Sequence, residues 1–403
     1  MTWETIKLGE LYDVHNGLSK GGKYFGKGFP FLSFSTVFNN YFLPDVLTDL
    51  VQSTEKEREN YSILRGDIFV TRTSETSDEL GMSCVALKDY PNATYNGFTK
   101  RMRPKTNKVL PEFIGYYMRM PSFRGEFLAF STMTTRASLK NEDLLSLTIR
   151  IPELNEQKII ANILSTYDFL IENNRKQIKL LEEAAQRLYK EWFVDLRFPG
   201  YETTSIVDGV PEGWKKVSVA DVSCVLRRGI SPKYNENAKY TVINQKCIRQ
   251  TVVDFSESRK QEKPYPDELQ LMDSDTVICS TGAGTLGRVG QIFGEHPSST
   301  LDSHVTLVRS NDKIGKQYLF FSIKEQQDYL QSMGKGSTNQ LELSRTTIQE
   351  LPILIPDAGI IEKFENTAEP IHKKIENLNL IVDLVMQTRD RLLPKLMSGE
   401  IEV

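Results

Sequence analysis

Six residues in the second half of the chain, GAGTLG at Gly282–Gly287, have the glycine spacing of a dinucleotide-binding loop, G-x-G-x-x-G. Such a loop works because a helix follows the glycines and holds the pyrophosphate at its N-terminus. Here the segment RVGQIFGEHP follows, with further glycines and a strand-like alternation. We therefore predict a tight loop at the end of a strand, and a nucleotide-dependent enzyme is kept only as an alternative.

Other enzyme signatures are missing from the sequence. It has no G-x-x-x-x-G-K-[ST] phosphate loop, no H-E-x-x-H zinc motif and no N/D-P-P-Y/F motif of amino-methyltransferases. The acidic residues show no motif that would pair them for acid–base catalysis. The motifs therefore give only weak support to a catalytic role.

The composition restricts the class of protein. With 39% apolar and 26% charged residues, the chain is typical of globular proteins. No apolar run approaches the roughly 18 residues of a membrane-spanning helix, and we see no secretion signal. The four cysteines form no C-x-x-C pair and the four histidines stand alone. These features predict a reduced, cytoplasmic protein without a structural zinc ion.

Polar loops recur at matching places in the two halves. Thr71–Gly81 matches Ser280–Arg288, Ser131–Leu139 matches Gly334–Leu343, and Asn244–Lys246 adds two amides and a charge. Hydroxyl, amide and guanidinium groups suit contacts with phosphates and base edges, although each loop could equally be a solvated turn. If the chain binds DNA, its positive charge must be local rather than global, because the net charge is −3. The candidates from these loops are Thr71, Arg72, Thr73, Ser74, Arg136, Ser138, Asn244, Gln245, Lys246, Thr281, Arg288, Lys335, Thr338, Asn339 and Gln340.

A repeat lies behind these matches. The hexamer LTIRIP at Leu147–Pro152 recurs as LPILIP at Leu351–Pro356, 204 residues later. After each hexamer, apolar residues continue in steps of four and three over five heptads, which predicts a coiled-coil seam with Asn174 and Arg389 as its polar exceptions. The predicted seam contains Ile160, Leu164, Tyr167, Ile171, Ile178, Leu181 and Leu188 in the first half and Phe364, Ile371, Ile375, Leu378, Val382, Val385 and Leu392 in the second.

The repeat predicts an α+β protein in which two globular domains alternate with two long helices. Short strand-like runs such as DIFVTRT and TVICST mix with polar turns inside each domain. We expect the helices to pair antiparallel, the alternative being that each packs on its own domain. We also expect a break near Ser165 and Pro370, and an end at Pro394 and Gly399. The predicted bounds are 1–152, 153–197 (helical), 198–356 (with a linker at 198–214) and 357–403 (helical).

The chain resembles the specificity subunit of type I restriction–modification systems over its whole length. The helical segments IPELNEQKIIANILS (Ile151–Ser165), LLEEAAQRLYKEWFVD (Leu180–Asp195) and RLLPKLMSGEI (Arg391–Ile401) carry this resemblance. In the globular regions, RGISPKY, INQKCIR and LDSHVTLVR (from Arg228, Ile243 and Leu301) are similar to one lineage of target recognition domains, and GDIFVTRTSET (from Gly66) is similar to another. Lys20, Lys233 and His304 complete the candidate set for DNA contact.

The resemblance implies a division of labour within a larger complex. Domains 1–152 and 198–356 would be target recognition domains, each reading one half of a split DNA sequence. The helical regions would space them and dock two methylation subunits, which restriction (motor-nuclease) subunits join. S-adenosylmethionine, ATP and Mg²⁺ would belong to those partners. A scaffold whose domains bind proteins is the rival interpretation, because varied loops on a repeated frame would serve it too.

Overall fold

The computed structural model of the chain describes residues 3–74, 80–129, 132–133, 137–138, 140–334 and 341–403, with the backbone alone at positions 73, 74, 127, 132, 133, 137 and 138. It forms two compact units. The first comprises Met1–Ile171 and Leu384–Val403, and the second comprises Glu172–Asp383. Each unit therefore holds one globular domain together with a segment of each long helix. In the described part of the chain, no helix is long and apolar enough to cross a membrane.

Two of the helices are far longer than the rest, and the hexamers lead into them. The helices are α1 (Leu8–Leu11), α2 (Phe34–Asn39), α3 (Glu55–Asn60), α4 (Pro111–Tyr117), α5 (Pro121–Ala129), α6 (Asn141–Ser146), α7 (Leu154–Tyr189), α8 (Lys316–Lys324), α9 (Gln327–Ser332), α10 (Arg345–Gln349) and α11 (Ala358–Ser398). A π-helical turn, Lys190–Val194, continues α7. The predicted helical regions 153–197 and 357–403 thus contain α7 and α11.

The predicted break in the long helices is wrong. Helix α7 runs through Ser165, and α11 runs through both Pro370 and Pro394. A proline removes one backbone hydrogen bond, but buried seam residues on both sides, such as Phe364 and Ile375, hold the helix on its course. The chain leaves α11 at Gly399, whose φ of +75° is the left-handed conformation of a C-terminal glycine.

The seam is buried or half-buried along both helices, and the helices run antiparallel. None of the predicted seam residues is exposed. In the second unit, burial raises the pKa of Asp383 in α11, and the nearby charge of Arg175 in α7 counters that rise. Phe193, after α7, packs edge-on against Phe364 of α11 with ring centroids 5.1 Å apart. Higher residue numbers in α7 therefore face lower residue numbers in α11, as in an antiparallel pair. The fold prediction, an antiparallel coiled coil between two α+β domains, is confirmed.

Each helix segment also packs on the globular domain of its own unit. Ile160 and Leu164 of α7 belong to the same buried cluster as Leu396 of α11 and Phe113 of the domain. Gln157, from the segment that resembles specificity subunits, is fully buried there. Its amide accepts a hydrogen bond from the Leu110 N–H and donates to two backbone carbonyls. The two long helices therefore pair with each other and also pack on the globular domains, so the two alternatives are both realised.

The first domain is built on a four-stranded antiparallel sheet in the order β2-β9-β5-β7. A second sheet has the order β4-β3-β8, in which β3 and β8 are parallel, and β1 pairs with β12. The strands are β1 (Glu4–Lys7), β2 (Tyr12–Asn16), β3 (Phe25–Leu32), β4 (Leu50–Val51), β5 (Ile68–Thr71), β6 (Thr73–Ser74), β7 (Ser83–Val85), β8 (Thr94–Tyr95), β9 (Thr99–Pro104), β10 (Thr132–Met133), β11 (Ala137–Ser138) and β12 (Thr148–Ile151).

The second domain repeats these three sheets with the same strand order. Its sheets have the orders β16-β22-β19-β20 and β18-β17-β21, with β17 and β21 parallel, and β15 pairs with β23. The strands are β13 (Ile206–Val207), β14 (Val210–Pro211), β15 (Lys215–Ser218), β16 (Ser223–Arg228), β17 (Tyr240–Ile243), β18 (Arg259–Gln261), β19 (Thr276–Cys279), β20 (Val289–Gln291), β21 (Ser299–Leu301), β22 (Val305–Ser310) and β23 (Pro352–Ile355). Each hexamer thus forms the last strand of its domain.

The repeat extends to single ion pairs inside the sheets. In the first domain, Arg103 donates from Nε and Nη2 to the two oxygens of Asp67 at 2.8 and 2.6 Å. In the second, Arg309 donates in the same way to Asp275 at 2.7 and 2.6 Å. Both carboxylates are buried, and a bidentate pair fixes both side chains in one geometry. We call each of these pairs a clamp.

The surroundings of the two clamps also correspond. Asp67 accepts a hydrogen bond from the Leu64 N–H, and Asp275 accepts one from the Met272 N–H, each at 2.8 Å. The arginines donate to a backbone carbonyl as well, that of Ser62 in the first domain and that of Gln270 in the second. The sheets of the two domains are therefore two copies of one frame.

Candidate nucleic-acid interface

Most of the candidate residues that the structure describes in the second unit lie at one end of its four-stranded sheet. Strands β16 and β19 finish at this end, and β22 begins there. The opposite end is fixed to helix α11, because Asp273, just before β19, accepts hydrogen bonds from His372 and Lys373 at 2.9 Å each. We call the end away from these helix contacts the loop end, and use the same term for the matching end in the first unit.

Three candidate side chains meet at the loop end of the second unit. Gln245 Nε2 lies 2.6 Å from the carbonyl oxygen and 2.7 Å from the hydroxyl oxygen of Thr281. That hydroxyl lies 2.7 Å from Nδ1 of His304. His304 is exposed, while the other two side chains are half-buried. The residues come from three separate loops, so only the folded sheet brings them together.

The glycines of the GAGTLG segment shape the loop that carries Thr281. Gly282, Gly284 and Gly287 have φ values of +103°, +79° and +73°. A Cβ on Gly282 would lie 2.8 Å from Gln245 Nε2, so glycine also provides the space for that amide. Strand β20, rather than a helix, follows the loop. The prediction of a tight loop at a strand end is right, and the geometry of a dinucleotide site is not present here.

The other candidates of this unit have local partners. Asn244 caps a short 3₁₀ turn, accepting from the Lys246 N–H at 2.8 Å. Arg288 Nη2 donates to the carbonyl of Gly284 at 2.6 Å. Lys233 forms an exposed ion pair with Glu262, which raises the pKa of the lysine. Exposed ion pairs contribute little to stability and open readily, so these cations can still meet phosphates.

Thr71 does not fit the role predicted for it in the first unit. It is the last residue of strand β5 and is fully buried, and its hydroxyl accepts a hydrogen bond from the Met82 N–H at 2.9 Å. A side chain with no exposed surface cannot touch DNA in this structure. Lys20 is engaged too, since its ammonium lies 2.7 Å from Glu57 and 2.6 Å from the Gln52 carbonyl.

Two cations, Arg72 and Lys100, lie close together at the loop end of the first unit. Burial, together with the nearby charge of Arg72, lowers the pKa of Lys100. Arg72 is half-buried and reaches Asn16 Oδ1 at 3.4 Å. Arg101, next to Lys100 on β9, donates to the Ser62 carbonyl at 2.7 Å. Lys100 and Arg101 are only 5% and 4% exposed, and Arg101 points to Ser62 beside the clamp, so of these three cations Arg72 is the one with surface open to an anionic ligand.

Several candidates fall outside the residues whose side chains are described. These are Thr73, Ser74, Arg136, Ser138, Lys335, Thr338, Asn339 and Gln340. The backbone of β6 and β11 nevertheless pairs Thr73 with Ser138, as Thr281 pairs with Glu342 in the second unit. The two polar loops of each half are therefore neighbours at the loop end.

Sequence reasoning missed residues that stand at equivalent positions of the frame. The Arg72 N–H donates to the Phe98 carbonyl at 3.0 Å, as the Ser280 N–H donates to the His304 carbonyl at 2.8 Å. Phe98 is thus the counterpart of His304, and 57% of its surface is exposed. In the second unit, Arg228 pairs with Glu342 at the same edge. Superposing the two halves by strand register would have found Phe98, because an aromatic residue in one loop matched a histidine in the other.

No cluster of three or more His, Cys, Asp or Glu side chains in the described ranges could hold a metal ion. The site therefore consists of hydrogen-bonding groups, cations and exposed aromatic rings on loops. Such groups can contact phosphates and base edges.

Comparison with known proteins gives one family. A family model described as "Type I restriction modification DNA specificity domain" matches residues 1–183 and 211–380. The MjaIX specificity subunit of Methanocaldococcus jannaschii is 27% identical, with 100% of this chain and 94% of that protein aligned. The EcoKI specificity subunit of Escherichia coli is 22% identical over 85% of this chain and 76% of that protein.

A solved structure shows the same fold. The crystal structure of the S subunit of a type I restriction–modification system from M. genitalium matches with a TM-score of 0.59. The match covers 98% of this chain and 96% of that chain at 14% sequence identity. The likeness extends over both globular domains and both long helices.

Proposed function

Because the chain belongs to the family of type I restriction–modification DNA specificity subunits, we propose that each of its globular domains reads one half of a split DNA target. The chain is the non-catalytic DNA-recognition component of its complex. In this proposal α7 and α11 set the distance between the two half-sites. The loop ends supply the contacts to DNA.

One observation carries the proposal. The two domains share strand order, strand register and clamps, yet the residues at their loop ends differ in chemistry. A protein with an internal two-fold repeat suits a target made of two separated parts. The shared sheets give the two domains the same backbone frame. The different loop-end residues allow each domain to recognise a different half-site sequence.

The partners follow from the same proposal. Two methylation subunits dock on the helices, and restriction (motor-nuclease) subunits join that core in the cytoplasm. S-adenosylmethionine, ATP and Mg²⁺ are bound by those partners. The net charge of −3 supports this division, because partners can neutralise much of the DNA backbone that this chain alone would not.

A domain exchange tests the proposal. Residues 1–146 are replaced by the corresponding domain of a related specificity subunit, and the hybrid is expressed with its methylation partners in a host that lacks other DNA methylation. Sequencing of modified bases then gives the target. We expect one half-site to change and the other to stay.

The wild-type chain, expressed in the same host, is the control. Wild-type expression that yields no methylated motif, or a single undivided one, would contradict the proposal and favour the protein-binding scaffold. A change in both half-sites of the hybrid would show that the domains do not read separately.

A further inference from the structure

Strand register defines three equivalent positions at each loop end. In the second unit they are Gln245, Thr281 and His304. The Asp302 N–H bonds to the Ile243 carbonyl, two residues before Gln245, and the Asn96 N–H bonds to the Leu32 carbonyl in the first unit. Phe34 follows Leu32 by two residues, as Gln245 follows Ile243, and Phe98 follows Asn96 by two residues, as His304 follows Asp302. Thr73 pairs with Ser138 as Thr281 pairs with Glu342. The counterparts in the first unit are therefore Phe34, Thr73 and Phe98.

From this correspondence we infer that these positions read a base in each half-site, an adenine in the second domain and a thymine methyl group in the first. The inference rests on the proposed function and names the residues that give the two domains different targets. The three positions of the second domain are polar, whereas two of their counterparts are phenylalanines.

The hydrogen bonds of the second domain fix which atoms face outward. A backbone carbonyl can only accept, so the group of Gln245 that lies 2.6 Å from the Thr281 carbonyl must be its NH₂. The same NH₂ donates to the Thr281 hydroxyl. We assign the hydroxyl proton of Thr281 to His304 Nδ1, which lies 2.7 Å away, and this assignment leaves the proton of the neutral imidazole on Nε2.

This chain of bonds presents one acceptor and one donor. Within the described part of the protein, Gln245 Oε1 accepts no hydrogen bond, so it remains available as the acceptor. The Nε2–H of the exposed His304 is the donor. In the major groove adenine offers an N6 donor and an N7 acceptor side by side, whereas guanine offers two acceptors. Adenine therefore complements the pair, and guanine would place an acceptor against Gln245 Oε1.

The position of His304 is held rigidly. Its backbone N–H donates to the buried carboxylate of Asp302 at 2.9 Å. In the first domain the Phe98 N–H donates to Asn96 Oδ1 at 2.6 Å, so the same turn presents a different ring. A side chain that is to discriminate bases needs such a fixed backbone, because a mobile group adapts to any base.

The aromatic counterparts suit an apolar group. Phe98 leaves 57% of its surface exposed, and Phe34 is half-buried with its ring stacked on Phe38. Exposing a phenylalanine in a loop costs solubility without helping the core. The C5 methyl of thymine is the apolar feature of the major groove, and phenylalanine is among the residues that contact it.

The test replaces the polar pair of the second domain by its aromatic counterparts. Gln245→Phe, His304→Phe and the double variant of the full chain are expressed with the methylation partners, and the methylated motif is determined. Methylation of duplex oligonucleotides with each base at the affected position gives the preference. We expect the second half-site to lose its adenine preference by about 10- to 100-fold at one position. The first half-site should be unchanged.

Two further variants keep the test decisive. His296→Phe removes another imidazole of the same domain, stacked on Phe255 away from the three positions, and should leave the motif unchanged. Phe98→His in the first domain should weaken thymine discrimination in the first half-site only. If thermal unfolding shows that the double variant does not fold, the single variants and Phe98→His decide the question.

The outcomes separate the inference from the proposed function. A wild-type chain that yields no two-part motif would contradict the proposed function. A two-part motif whose second half contains no A·T pair would overturn the inference alone. So would a motif left unaltered by the double variant, or an equal loss on all sequences, which indicates phosphate contact.

Discussion

Arg389 of helix α11 binds Asp168 of helix α7 at 2.5 Å within the first unit. Arg389 is a polar exception in the apolar seam, and Asp168 is the residue that compensates for it. The Tyr116 hydroxyl donates to the other oxygen of Asp168 at 2.5 Å, and the guanidinium lies over the Tyr41 ring. Burial disfavours the charge, but hydrogen bonds to Asp168 and Asp390 raise the pKa of Arg389. A polar seam residue is thus retained by a specific pair.

Removing Arg389 should destabilise the first unit. In Arg389→Ala, Asp168 loses its cation while 29% of its side chain remains exposed, so we expect a loss of about 2–4 kcal/mol, below that of a fully buried pair. Chemical unfolding followed by circular dichroism measures this loss. Arg187→Ala, which breaks an exposed pair on α7, is the control and should cost under about 1 kcal/mol. Equal losses in the two variants would refute the role of the pair.

The second polar exception should behave in the opposite way. Asn174 is 9% exposed, and its side-chain amide makes no hydrogen bond to another residue in the described part of the protein. Its counterpart in the other helix is Leu378. Because leucine would add apolar contact to the seam where this largely buried amide makes no hydrogen bond to the described residues, Asn174→Leu should stabilise the chain by about 0.5–1.5 kcal/mol. Thermal unfolding of the full chain measures the shift, and a markedly lower melting temperature would mean that Asn174 belongs to a bonded network.

The attachment of the second domain to α11 should weaken in acid. Burial raises the pKa of Asp273, but hydrogen bonds from His372, Lys373 and the Gly294 N–H outweigh it and hold the pKa below its usual value. A depressed carboxylate contributes stability that is complete above its unfolded pKa, about 3.9, and is lost as the pH falls below it. Asp273→Asn should therefore cost roughly 1.5–3 kcal/mol at pH 7.

The pH dependence distinguishes this contact from a general loss of packing. The difference in unfolding free energy between wild type and Asp273→Asn should shrink as the pH falls from 5 toward 2. Urea unfolding at a series of pH values measures it. Asp312→Asn, in a turn of the same domain, should give no such convergence. A constant difference at all pH values would show that the ionised form is not what matters.

Shortening the helix pair should shorten the DNA target. Deleting one heptad from each helix, Asn174–Leu180 and Leu378–Leu384, keeps both seams in phase and removes about 10.5 Å at 1.5 Å per residue. That is roughly three base pairs at 3.4 Å each. We expect a methylated motif with a shorter spacer, and weaker binding because three base pairs turn DNA by about 100°.

The control for the shortened pair is deletion from one helix alone, which offsets the seams and should be worse. Sequencing of modified bases gives the spacer of each variant. An unchanged spacer with full activity in the double deletion would show that the helices do not set the distance.

The sequence predicts the frame of this protein well, because its signals are local. The period of the seam reports which face of each helix is buried, and the repeated hexamer marks where each domain ends. The predicted break failed because Pro370 was judged from its immediate neighbours, whereas buried contacts with residues far along the chain keep α11 continuous.

The loop ends were harder to predict because their geometry depends on distant pairings. Thr71 looked like an exposed loop residue but ends a central strand, and its hydroxyl is used by Met82. The meeting of Gln245, Thr281 and His304 needs three loops that only the sheet brings together. In the sequence Arg389 interrupts the apolar seam, and only the structure shows that Asp168, 221 residues away, lies beside it.

The two clamps have a consequence for how such a protein changes its target. Between Asp67 and Arg103 in one domain, and between Asp275 and Arg309 in the other, lie segments of similar length. They include the inner strands of each four-stranded sheet and two of the three equivalent loop-end positions. A segment moved from one domain into the other would begin and end beside clamp residues of the same type and geometry. Recombination at these points would therefore supply a new target in one step, with the machinery that modifies the DNA left untouched, and the same points are natural junctions for building hybrid subunits.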